Sequence, residues 1–192
     1  MSEPIRHVAL LRGINVGGHR KISKEQLTEI FTGAGFTSVK TLLASGNVLF
    51  ASTESDEATL QRLIEKRLSD ALGYDVDVMV RTISYIQELI ALDPFGAEDV
   101  QGRKFYVTFM ATRPEATPAL PERLPDQGSV ALGLHGREFF AISEKARDGS
   151  YGDFSKYIIK TFGKGPVTTR NWNTVIKIAA DSTDAGNQAQ GG

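Results

Sequence analysis

The order of apolar segments constrains this chain more than any single motif does. His7 to Leu11 is a short apolar run suited to a buried strand. Ser23, with Gln26 three residues on, is a capping-box signal. It opens a helix with Leu27, Ile30 and Phe31 on one face, ending at Gly33 or Gly35. Val39 to Leu43 and Val48 to Ala51 read as strands joined through Ser45-Gly46-Asn47. Glu54 to Leu72 carries Leu60, Leu63, Ile64, Leu68 and Ala71 at helical spacing, with Gly73 as its stop, and Val76 to Val80 alternates as a strand does. Strand, helix, strand, strand, helix, strand is the split βαβ, or ferredoxin-like, order.

The second half partly repeats it. Ser84 to Leu92 continues as a short helix that Asp93-Pro94 breaks. Phe105 to Met110 is a strand, and a proline-rich connection spans Arg113 to Pro125. Val130 to Leu134 pairs through Gly136 with Phe139 to Ile142, and helices are expected at Phe154 to Phe162 and Thr169 to Ala180. The predicted fold is α+β, with two ferredoxin-like subdomains in tandem, the second irregular. They cover residues 1–92 and 93–180, with the boundary near Asp93 to Gly102. No sequence identity links the halves, so the tandem rests on element order. From Asp181 to Gly192 the chain is small, polar and aperiodic, and a disordered tail is expected.

Composition excludes several chemistries. At 192 residues the chain can bury one core or two of about 80–100 residues. Lys+Arg 22 against Asp+Glu 23 leaves a net charge of −1, so no global field draws it to nucleic acid or acidic membranes. The absence of cysteine removes disulfides, thiol nucleophiles and thiolate metal sites, and fits a reducing compartment. Met1-Ser2-Glu3-Pro4 is not a secretory leader, and no stretch approaches the roughly 20 apolar residues of a membrane helix. A cytoplasmic protein without membrane contact is expected. His7, His19 and His135 have no ligand spacing, so no metal site is assigned.

Three segments could carry chemistry. The first, Arg12-Gly13-Ile14-Asn15-Val16-Gly17-Gly18-His19-Arg20-Lys21, links a strand to a helix, where backbone N–H groups can converge on an anion. Gly13 and Gly18 have P-loop spacing, but His19-Arg20 replaces the Lys and Ser/Thr that phosphate and magnesium require. A turn that needs positive φ explains these glycines equally well. In the second, Ala44-Ser45-Gly46-Asn47, a tight strand connection is the stronger explanation, and Ser45 is in no nucleophile elbow. The third runs from Gly163 to Val175. Thr168 or Thr169 is expected as an N-cap, and Trp172, Val175, Ile176 and Ala179 share a core face. Arg170 would then oppose the helix dipole by about 0.3–1 kcal/mol, which a carboxylate or a bound anion would offset. A surface arginine with a packed stem is the commoner case.

Charge position supports reading the three together. Pro4 to Lys24 holds five basic residues and no acid. Ile30 to Thr53 has no acid, and Phe154 to Ala180 again has five basic residues and none. If the fold joined these segments they would form a local positive patch.

Leu10-Leu11-Arg12-Gly13-Ile14-Asn15-Val16-Gly17-Gly18, Ser45-Gly46-Asn47-Val48 and Thr169-Arg170-Asn171-Trp172-Asn173-Thr174-Val175 resemble the signature of the bacterial domain-of-unknown-function family 1697. The resemblance runs from Ile5 to about Ile178. It implies an α+β fold and supplies no activity, cofactor or catalytic residue.

Three functions compete. The first is a cleft for an anionic small molecule, such as a nucleotide or phosphorylated metabolite. Arg12, Asn15, Gly17, Gly18 and Lys21 would bind it, and Ser45, Asn47, Arg170 and Asn171 would line the far side. The second is a non-catalytic structural or protein-interaction role, in which the motifs hold two subdomains together. The third is single-stranded RNA binding. It is disfavoured because Asn47-Val48-Leu49-Phe50 lacks paired aromatics, and Phe105, Tyr106 and Phe109 suit a core better.

Overall fold

The computed structural model describes residues 3–14, 21–42, 46–96, 101–115, 117–124 and 128–181. The chain divides into two compact units, Met1–Glu88 with Lys177–Gly192, and Leu89–Ile176. Both boundaries fall inside helices, at α3 (Ile83–Ala91) and α5 (Trp172–Asp181).

The first unit builds one antiparallel sheet from β1 (Ile5–Leu11), β2 (Thr37–Leu42), β3 (Asn47–Ser52) and β4 (Val78–Thr82), in the order β2-β3-β1-β4. Its helices are α1 (Lys24–Gly33) and α2 (Glu57–Leu72). Helix starts are set locally. Ser23 and Gln26 form the reciprocal capping box, and Asp56 caps α2 by accepting the Thr59 N–H, so that helix begins at Glu57 rather than at Glu54. Gly73 ends α2 in the left-handed conformation, at φ +74. Leu60, Ile64 and Leu68 of α2 join Leu27 and Phe31 of α1 against Val48, Phe50, Val78 and Val80 of the sheet. Each such side chain contributes about 1.5–3 kcal/mol by leaving water. Ala71, at the edge of the expected stripe, is exposed.

Residues on the opposite face of the sheet, Val8, Leu10, Leu49 and Met79, are equally inaccessible, so β1 reads as a continuous apolar run. His7 stands at the start of that run. It is fully buried and stacks on Phe50 with ring centroids 5.3 Å apart. Nδ1 lies 3.0 Å from the Ile5 carbonyl, which assigns the proton to Nδ1, and Nε2 has no partner among the described residues. Burial pushes its pKa below the usual histidine range, against smaller opposing effects of the Ile5 bond and Glu57. A depressed folded-state pKa means that the unfolded chain takes up the proton first, so stability falls as pH drops through about 6.5. The loss between pH 7.5 and 5.5 is expected to be smaller in His7→Phe, measured by thermal unfolding. Parallel pH profiles would sink this assignment.

The second unit uses β5 (Arg103–Met110), β6 (Glu122–Arg123), β7 (Ser129–His135), β8 (Glu138–Glu144) and β9 (Val167–Asn171), in the order β6-β7-β8-β5-β9. Without β6, the order β7-β8-β5-β9 repeats β2-β3-β1-β4. α4 (Ser155–Phe162) places Ile158 against Phe139, Ala141 and Met110. Elsewhere in this unit Phe95 meets Phe140 and Trp172 edge-to-face and Phe105 at a tilt, with centroid distances of 4.9–5.9 Å. Three aromatics considered as base-stacking candidates pack internally. Phe109 is fully buried, Phe105 meets Phe95, and Tyr106 meets Phe154.

Candidate functional site

The first two motif segments meet at one end of the first sheet. There β1 finishes with Leu10 opposite Asn47 and Leu11 opposite Val78. The Leu11 N–H donates to the Gly46 carbonyl at 2.8 Å, and the Arg12 N–H to the Asp77 carbonyl at 2.9 Å. Gly13 turns the chain at φ +66, and Ile14 drops back into the core, 2% exposed. Its side chain fills the space that Gly46 leaves. A Cβ on Gly46 would stand 2.8 Å from Ile14 Cγ1.

Arg12 points outward, half exposed, and its Nη1 lies 2.9 Å from Asp77 Oδ2. Such a pair in water is worth about 0–1 kcal/mol. The partner was not legible in the sequence, because the two residues are 65 positions apart. Lys21 is exposed. Asn47 is buried, and its Nδ2 donates to the Leu42 carbonyl at 3.0 Å, closing the β2–β3 hairpin. Asn15, Gly17, Gly18 and Ser45 lie outside the described residues.

The third segment belongs to the second unit and differs from expectation. Val167–Asn171 is a strand paired with β5, and the helix begins at Trp172. Arg170 therefore sits in no first helical turn, and the dipole argument does not apply to it. The β-branched run Val167-Thr168-Thr169 was the available strand signal. Alternation along β9 turns Thr168 and Arg170 inward, opposite Phe109 and Val107, so Arg170 is buried rather than a surface residue. Its Nη1 donates to Thr168 Oγ1 at 2.7 Å and to the Thr169 carbonyl at 3.0 Å. Burial pushes its pKa down to about 10, which leaves it charged at neutral pH. Asn171 accepts the Asn173 N–H at 3.0 Å, the bond of an N-cap, so it takes the role expected of Thr168 or Thr169. Ile176, expected in the core face of α5, is 42% exposed, and Ile178 is buried in its place. Asp181, expected in the tail, ends α5 and meets Lys40 Nζ at 2.5 Å.

Among the described residues, no helix is long and apolar enough to cross a membrane. No curated protein matches the chain. Among solved structures, it is similar to a conserved bacterial protein, SP0830 of Streptococcus pneumoniae, at 23% identity and a TM-score of 0.65 over 93% of this chain and 98% of the other. That likeness is one of fold. The family described as a protein of unknown function, DUF1697, matches residues 5–140, which include the first two motif segments and stop short of the third. The chain belongs to the DUF1697 family.

Proposed function

We propose that the first unit binds an anionic small molecule, a nucleotide or another phosphorylated metabolite, at the sheet end where β1 passes into the Arg12–Lys21 segment. The observation that carries this is the fit of two acid-free segments to each other. Ile14 seats against Gly46, and the Leu11–Gly46 hydrogen bond fixes where the glycine-rich segment leaves the sheet. A fixed departure point beside an exposed guanidinium is what an anion cradle needs. Asn15, Gly17, Gly18, Lys21 and Ser45 enter on their chemistry, as amide, hydroxyl and ammonium donors. An incoming phosphate displaces Asp77 from Arg12 at little cost, since that ion pair is solvent-screened.

Thermal unfolding with phosphate, sulfate and nucleotides tests this. A ligand at about ten times its Kd should raise Tm by roughly 3–6 °C. Arg12→Ala should abolish most of that rise, and Asp77→Asn should strengthen it. If no anion shifts Tm, or the shift is unchanged in Arg12→Ala, the reading falls.

A structural role is favoured for the third segment, on a separate observation. Arg170 is buried with bonds to its own strand, Asn171 caps α5, and Trp172 packs edge-to-face with Phe95. We also read both units as split βαβ folds. The support is the shared strand order, with β6 as the irregular addition in the second.

A further inference from the structure

In the first unit the connection from β1 to β2 contains α1, which covers the sheet beside α2. The corresponding connection in the second unit, from β5 to β7, contains β6 and, among the described residues, no helix. α4 therefore faces an irregular proline-bearing segment instead of a helix. A cavity of about 430 Å³ lies between the two. That volume is in the range of small-molecule sites.

Its walls differ in charge. Along α4, Lys156 and Lys160 are one turn apart on one face. Across from them stands Glu122 of β6, and Asp153 closes the end where α4 begins. Between the charges the lining is apolar, from Pro118, Leu124 and the Tyr157 ring. The ring is held in place. It stacks on Phe139 at 5.7 Å, and its hydroxyl donates to Glu122 Oε2 at 3.2 Å. Among the described residues Asp153 is engaged through Oδ1 by Ser155 and Glu122 through Oε2 by Tyr157, which leaves each carboxylate a second oxygen for another donor.

An apolar floor with the ammonium groups of Lys156 and Lys160 along α4, Glu122 on β6 and Asp153 beside Lys156 matches a molecule that carries both charges on an apolar body. A simple anion would meet Glu122 and Asp153, and a simple cation would meet the lysines. We infer that this cavity binds a small apolar zwitterion of the amino-acid and dipeptide class. The ligand's carboxylate lies along Lys156 and Lys160, its ammonium against Glu122 and Asp153, and its side chain over Leu124 and Tyr157.

Isothermal titration of the full chain tests this with phenylalanine and leucyl-leucine, each beside its N-acetylated and C-amidated forms. Saturable binding of the free zwitterions is expected, with each blocked form at least about tenfold weaker, because one charge-assisted contact is lost. Lys156→Glu with Lys160→Glu should weaken binding by a similar factor without lowering Tm, since both side chains are exposed. Lys160→Ala is the milder variant, with a smaller loss expected. Arg12→Ala should leave this binding untouched, which separates it from the anion site of the first unit. The inference is overturned if neither zwitterion binds up to about 10 mM. Blocked forms that bind equally well, or lysine variants that bind as the wild type does, also overturn it.

Discussion

Gly152→Ala is expected to be the most damaging single methyl addition in the second unit. A Cβ at this position would press directly on the Gly128 carbonyl and on Ser129 Oγ, and a Cβ on Gly128 would stand 2.9 Å from Gly152 Cα. The obstacle is mainly backbone, which cannot swing aside as a side chain can. Two hydrogen bonds hold the crossing closed. Ser143 Oγ donates to the Gly152 carbonyl and the Glu144 N–H to the Gly128 carbonyl, both at 2.7 Å. Alanine must therefore push the Gly128 and Gly152 backbones apart and strain bonds to Ser143 and Glu144, both in β8. A loss of about 3 kcal/mol or more follows from overpacking of this kind, with Tm lower by roughly 6–12 °C. Chemical denaturation beside a thermal scan measures it. A variant within about 0.5 kcal/mol of wild type, the range of an ordinary surface change, would show that the backbones do not pass so closely.

The second large effect is expected at Gly46, where two penalties add. The residue sits at φ +73, and its Cβ would meet Ile14 Cγ1 at 2.8 Å, Cδ1 at 2.9 Å and Leu11 Cβ at 3.1 Å. The conformation costs an alanine about 1 kcal/mol and the crowding a further 1–3. The second penalty is conditional on Ile14, so a double-mutant cycle separates the two. Gly46→Ala should lose about 2–4 kcal/mol alone, and less when it is added to Ile14→Ala. Additive losses would mean that Ile14 and Gly46 do not compete for one space. The same variant bears on the anion site. If that site is correct, Gly46→Ala shifts the departure of the Arg12–Lys21 segment and weakens the Tm rise given by phosphate or nucleotide.

Much of the first unit was legible because its signals are local. A capping box spans four residues, a C-terminal glycine one, and the apolar stripe Leu60, Ile64, Leu68 a few turns of one helix. These interactions form between near neighbours in the chain, so the sequence displays them directly. The end of the chain shows the contrary case. Val167-Thr168-Thr169-Arg170 has both a cap signal and a strand signal, and local preference does not choose between them. Five residues of pairing with β5 choose the strand, and the side-chain alternation that follows buries the guanidinium. Pairing partners about sixty positions away leave no trace in a local window.

The sequence alone determined that this is an α+β chain of the DUF1697 type, that its first half runs strand, helix, strand, strand, helix, strand, and which segments lack acids. Tertiary structure decided what those segments do. It brought Ile14 onto Gly46, set Asp77 beside Arg12, gave Asn47 to a hairpin, and took Arg170 out of water. The physical reason is the same in each case. Backbone preference and apolar period act within a few residues, whereas burial, charge pairing and close backbone approach depend on which distant segments share a place. Such contacts exist only once the sheet has closed.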